Sequence, residues 1–220
     1  MNLEMKLKAA LDLDLNYSDY QSREELRMGS AGLKPAAVLL LFGFSEDKSE
    51  GESDKSDRSK DTLHWQRFSL LYTLRTEQVE HHKGQMAFPG GYCEVQDRGD
   101  PANTAVRETE EEVGISRELI QVIGTLPSLP TLTGFLIQPC VGILKAPIEN
   151  VSLRLNTSEI ADAVWVPFDV LLAQKTYQLE TLKSGLMEYS THVYQVDRFR
   201  IWGATGSITK NLLDRLRFLS

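Results

Sequence analysis

The sequence predicts an α+β fold in which a mixed β-sheet lies between helices. Three observations predict it. An uninterrupted apolar run at 36–42 reads as a buried strand. Two segments, 101–113 and about 204–219, place apolar residues at helical spacing along one stripe. Strands and helices otherwise follow one another without a βαβ repeat, and neither an internal repeat nor a dinucleotide-type glycine fingerprint is present.

Taken in order, residues 1–30 are expected to form an N-terminal helix and connector, and 31–220 a single domain. Strand 36–44 comes first and a second strand occupies 68–75. Between them, 45–61 consists of Ser, Asp, Glu, Lys, Arg and one Gly, with no apolar residue. Such a segment cannot bury enough surface to offset its ordering entropy, so it reads as a mobile hairpin loop. Gly84-Gln85-Met86-Ala87-Phe88-Pro89-Gly90-Gly91 reads as a short strand broken by Pro and paired glycines, which let the backbone approach a ligand closely. In the helix at 101–113, Asp100 can cap, Pro101 suits the first position and Gly114 suits the exit. Ala102, Ala105, Val106, Thr109 and Val113 make its buried stripe. Strands are predicted at 119–126, 135–144, 163–167 and 192–196, with 199–202 close behind. The last helix, about 204–219, buries Ile208, Leu212, Leu213, Leu216 and Leu219.

Composition narrows the function. A chain of 220 residues with 41% apolar content can bury a full core as one domain. No apolar run approaches the roughly 18 residues of a membrane span. A net charge of −7 argues against nucleic acid as a partner, because phosphate backbones call for a basic face. Residues 1–15 are amphipathic and mixed in charge, unlike a secretory signal, and Phe218-Leu219-Ser220 is not a peroxisomal address. Cys93 and Cys140 are too few for a disulfide framework and read as free thiols of a reducing cytosol. A cytoplasmic protein with neither membrane nor nucleic acid as partner is expected. The oligomeric state stays open, a homodimer among the options.

Arg107-Glu108-Thr109-Glu110-Glu111-Glu112-Val113-Gly114-Ile115 gathers four carboxylates into the last turns of a helix. Helix electrostatics oppose this: a C-terminus carries partial negative charge, and Glu108 and Glu112 repel at i, i+4. A divalent cation would compensate. Glu108, Glu111 and Glu112 fall on one face and can converge on one point, while Glu110 points elsewhere; hard oxygen ligands suit Mg²⁺ or Mn²⁺. A solvated acidic face is the other reading of this segment taken alone.

The glycine pair, a loop and then R-E-x-x-E-E-x-G-I together resemble the signature of the Nudix hydrolases, G-x5-E-x7-R-E-U-x-E-E-x-G-U with U apolar. The C-terminal half matches closely. At the start, the expected Gly falls on Cys93 and the expected Glu on Gly99, so the loop 92–100 is longer than in the plain signature, and Thr109 stands where Leu is usual. A stretched loop and a small residue after R-E are similar to the coenzyme A pyrophosphatase branch. So are Leu70-Leu71-Tyr72-Thr73-Leu74-Arg75, His82-Lys83-Gly84-Gln85 leading into Phe88-Pro89-Gly90-Gly91, and Leu129-Pro130-Thr131-Leu132-Thr133-Gly134-Phe135.

The resemblance implies an α/β/α sandwich and a hydrolase acting on a small-molecule diphosphate with Mg²⁺ or Mn²⁺. It implies Glu108 and Glu112 as principal metal ligands with Glu111 close behind and the Gly90 carbonyl as a further ligand. Glu111 is the favoured base and Glu159 the runner-up. Arg107, flanked by acids, would fix their rotamers by bidentate bonds. Arg75, His82 and Lys83 would contact the substrate; surface charge or loop fixing is the plainer reading of the three. Cys93 has no basic neighbour in sequence to make it a nucleophile. The substrate implied is coenzyme A or an acyl derivative, cleaved to 4′-phosphopantetheine and adenosine 3′,5′-bisphosphate. A nucleotide sugar, dinucleotide or nucleoside triphosphate is the alternative, and a silent nucleotide-binding module a further one.

Overall fold

The computed structural model describes residues 2–13, 15, 32–46, 65–78, 83–184 and 187–218. The loop expected at 45–61 lies outside them apart from its first two residues, as does most of the connector at 16–31.

Strand β1 (Lys34–Phe44) organises the molecule. One edge pairs in parallel with β7 (Phe135–Leu144) from Lys34 to Phe42. The other edge is shared. Its first half pairs antiparallel with β4 (Gly90–Tyr92), and its second half with β2 (Phe68–Arg75). β2 therefore splays away from β1, and β3 (Met86–Ala87) and β4 fill the opening, β3 on β2 and β4 on β1. Strands β5 (Ile120–Thr125), β6 (Leu129–Pro130) and β8 (Ile160–Pro167) complete an eight-stranded mixed sheet.

β1 is apolar from Pro35 onward because helices cover both faces of it. Leu40 and Phe42 join Leu70 and Tyr72 in a core closed by α1 (Leu3–Leu11) and α4 (Gly203–Arg217), while Ala37, Leu39 and Leu41 face α2 (Pro101–Val113) through Ala105 and Val113. This is the α/β/α arrangement expected. The two outer helices are also fastened to each other. Arg215, 2% exposed, donates from Nη1 to the carbonyls of Ala10 at 3.2 Å and Leu11 at 3.4 Å, and also to that of Leu13, all at or just beyond the end of α1.

Several elements differ from expectation. A short helix, α3 (Phe168–Leu172), follows β8. The strand expected at 192–196 runs from Met187 to Val196 as β10, and forms a separate three-stranded sheet with β9 (Tyr177–Ser184) and β11 (Phe199–Ile201). β9 escaped the sequence reading because its run Tyr177-Gln178-Leu179-Glu180-Thr181 is largely polar and even Leu179 is exposed. Among the described residues no helix is long and apolar enough to cross a membrane. Cys93 and Cys140 are both free, and burial pushes the Cys140 thiol up to about 12.

Candidate active site

α2 starts and stops where its sequence dictates. Asp100 accepts a hydrogen bond from the Ala102 N–H at 2.9 Å, Pro101 occupies the first turn, and Gly114 leaves the helix in the left-handed conformation at φ 72°. Thr109, fully buried, returns its hydroxyl to the Ala105 carbonyl at 2.7 Å, which lets a polar residue sit where the helix meets the sheet.

The carboxylates of this helix meet the opening between β1 and β2. Glu112 is 2% exposed. Its Oε2 accepts from the Gly90 N–H at 3.2 Å and its Oε1 lies 3.5 Å from Arg75 Nη1. Burial pushes its carboxyl up to about 8; Arg75 and the Gly90 N–H pull the other way, and the charges of Glu108 and Glu159 add to the rise. Glu108 is raised as well, by burial first, against the pull of Arg107. Its carboxylate packs directly on Gly91: a Cβ on that residue would sit 2.5 Å from Glu108 Cδ. Only glycine allows that approach. Glu111 is more exposed and Glu110 turns away to Arg117 at 2.8 Å.

Arg107 ties the cluster together with all five of its N–H donors. Nε and Nη2 grip Asp97 at 3.0 and 3.2 Å, Nη2 also reaches the Tyr92 carbonyl at 3.0 Å, and Nη1 divides between Glu108 Oε1 at 2.9 Å and Glu111 Oε2 at 3.0 Å. Asp97 has further donors in the Glu94 N–H and the Thr104 hydroxyl, each at 2.8 Å. The Arg107 guanidinium holds the Asp97 carboxyl well below the usual carboxylate range, despite burial.

Glu159 arrives from the turn before β8. The Asn156 N–H donates to the Glu112 carbonyl at 2.9 Å, the Glu159 N–H donates to the Asn156 carbonyl at 3.0 Å, and Thr76 donates to the Glu159 carbonyl at 2.8 Å. The turn is thus fastened to both α2 and the end of β2, and the Glu159 charge is felt by Glu108 and Glu112. Lys83 is exposed in the turn ahead of β3, and His82 lies outside the described residues.

The acids are brought together, but not onto one centre. Among the described residues no three His, Cys, Asp or Glu side chains close on a common point. The reason is visible: Arg107 draws Glu108 and Glu111 to one nitrogen, whereas Glu112 turns to Gly90 and Arg75. For Gly90, the described contact to the acids runs through its N–H rather than its carbonyl.

A family model for the NUDIX domain matches residues 64–184, a span that contains α2, the glycine pair and Asp97. The chain belongs to the NUDIX family. It is 34% identical over 149 residues to the uncharacterized Nudix hydrolase NudL of Photorhabdus laumondii, covering 68% of this chain and 78% of the relative. To the NudL of Pectobacterium atrosepticum it is 33% identical over 144 residues, covering 66% and 73%. Among solved structures, the Nudix hydrolase RenU from M. Smegmatis has a TM-score of 0.44 at 21% identity, over 64% of this chain and 74% of that one. As a Nudix hydrolase the chain is an enzyme, in a family that generally uses divalent metal ions and acts on small molecules. The plain Nudix signature has its first Glu where this chain has Gly99, and the carboxylate the longer loop turns toward Arg107 belongs to Asp97, two positions earlier. Sequence reasoning missed it. The one available signal was that a lengthened loop shifts its acid along with it.

Proposed function

We propose that this Nudix hydrolase is a Mg²⁺- or Mn²⁺-dependent pyrophosphatase of the cytosol that cleaves the diphosphate of coenzyme A or an acyl derivative. The observation that carries the reading is the packing of two carboxylates, the half-buried Glu108 and the buried Glu112, on the backbone of Gly91 and Gly90. Their oxygens are hard donors, and burial has raised both groups, so a cation there would relieve an unfavourable concentration of negative charge. Glu108 and Glu112 would hold the ion, with Glu111 and the Gly90 carbonyl as neighbours. When bound, it would neutralise charge on the phosphates and make water a stronger nucleophile.

The chain's own groups do the rest. Glu111, tethered at Oε2 by Arg107, keeps Oε1 to take the proton of the attacking water; Glu159 is the second choice for that role. Water oxygen adds in line to one phosphorus, the bond to the bridging oxygen breaks, and the other phosphate departs, giving 4′-phosphopantetheine and adenosine 3′,5′-bisphosphate from coenzyme A. Arg107 holds the acids in place, and Arg75, with Lys83 and His82, meets the substrate's anionic groups.

The coenzyme A assignment rests on the branch-like segments flanking the site, and a panel tests it. Given coenzyme A, NADH, ADP-ribose and nucleoside triphosphates with Mg²⁺ or Mn²⁺, the enzyme should prefer coenzyme A by more than about tenfold in kcat/KM, roughly 1.4 kcal/mol. An equal preference for any other member defeats the narrow assignment and leaves the hydrolase. Gly91→Ala tests the site itself. The added methyl would displace the flexible Glu108 carboxylate, so turnover should fall at least about tenfold while stability changes by less than about 1 kcal/mol. Unchanged turnover would mean that Glu108 need not lie against the glycine pair.

A further inference from the structure

Two arginines face the acid cluster, and their bonding differs. Arg107 has a partner for every N–H. Arg75 does not. Its only described ion pair is Nη1 to Glu112 Oε1 at 3.5 Å, longer than a charge-assisted hydrogen bond, and its buried Nε has no hydrogen-bond partner among the described residues. An arginine fixed for structure would be matched to its acceptors as Arg107 is.

The backbone around Arg75 is firmly held. Its N–H donates to the Gln85 carbonyl at 3.1 Å and the next N–H, of Thr76, donates to the Glu159 carbonyl at 2.8 Å. The register between β2 and β8 slips between Leu74 and Arg75, a bulge of the kind that re-aims a side chain beside a functional site. With 23% of its side chain exposed, Arg75 reaches from this bulge to the mouth of the opening while touching the buried Glu112. The backbone is built to aim a planar, five-donor fork at this place, and among the described residues its only acceptor is the distant Glu112 carboxylate.

We propose that Arg75 is an exchangeable counter-ion: it shields the Glu112 carboxylate until a divalent cation takes that carboxylate, and then passes its donors to the substrate's diphosphate. This rests on the reading of Glu112 as a metal ligand and adds a mode of control to it. Cation and diphosphate become mutually reinforcing, because each favours the position of Arg75 that the other needs. The unfilled donors of Arg75 are then the substrate's phosphate contacts held in waiting. A diphosphate arriving without the cation meets an arginine drawn toward Glu112 and a carboxylate that repels it.

The test is a double-mutant cycle on Glu112 and Arg75, read as affinity for methylenediphosphonate in EDTA at about pH 9, where Glu112 carries its charge, by titration calorimetry, with no metal and no turnover. Glu112→Gln should release Arg75 and tighten binding about tenfold. In the Arg75→Gln background the same Glu112→Gln change should alter affinity less than about twofold. An equal gain in both backgrounds would mean that removing a negative charge is the whole effect, and would overturn the exchange; so would the absence of any gain. If Arg75→Gln melts below the assay temperature, Arg75→Met, which keeps the stem length, takes its place. A failed cycle in a protein that hydrolyses coenzyme A overturns only the exchange. Absence of hydrolysis across the substrate panel overturns the proposed function instead.

Discussion

Glu112→Gln is expected to lower turnover by at least about 10²-fold while the protein keeps its fold. The side chain is buried at the C-terminal end of α2, and the amide has the same shape, so its oxygen can still accept from the Gly90 N–H. What the substitution removes is charge, and a neutral amide oxygen holds a divalent cation more weakly than a carboxylate does. Glu111→Gln should cost a similar factor for a different reason, since it removes the group given the water's proton. Glu110→Gln is the control. Its carboxylate faces the exposed Arg117, and its loss should change turnover less than about twofold. Steady-state kinetics with Mg²⁺ on the three variants, with circular dichroism to verify folding, decides the matter. Near-normal turnover in both Glu111→Gln and Glu112→Gln would move the chemistry elsewhere, with Glu159 the first place to look.

The second large effect is on stability. Asp97→Ala removes the partner of two Arg107 N–H groups in a site where both side chains are almost wholly buried. Breaking one side of a buried ion pair strands the other charge, at about 3–5 kcal/mol. For a chain of this size the melting temperature should drop on the order of 10 °C. Asp97→Glu, which keeps the charge, should recover part of it. A change of less than about 2 °C would show that Arg107 finds other acceptors there. The pH dependence has a definite sign. Asp97 titrates lower in the folded protein than in the unfolded chain, so its contribution is complete above the ordinary aspartate range and is lost as acid protonates the folded form. Asp97→Ala should therefore weaken the protein most at neutral pH and progressively less on strong acidification.

Local signals were readable in the sequence because local physics produced them. The limits of α2 follow from Asp100, Pro101 and Gly114, and the double cover on β1 follows from its unbroken apolar run. The sharing of one β1 edge between β4 and β2 was not legible, since pairing across the sheet leaves no mark on either strand alone. The hairpin of β9 and β10 was half seen for a related reason: β9 lies at the edge of a small sheet and needs few apolar residues. In the site, the acids of α2 announced themselves by breaking a helix rule. Asp97 broke none. Its pairing with Arg107 depends on how a loop turns back, and an aspartate in a polar loop is unremarkable until that turn is known.

The grip of Arg215 on the last carbonyls of α1 means that the opening and closing segments of this chain cannot loosen separately. Peeling away the first helix would strand a buried guanidinium in α4, and fraying α4 would take a charged donor from the carbonyls at the end of α1. Amide protons in the two helices should accordingly exchange with solvent as one cooperative unit, though some two hundred residues separate them along the chain.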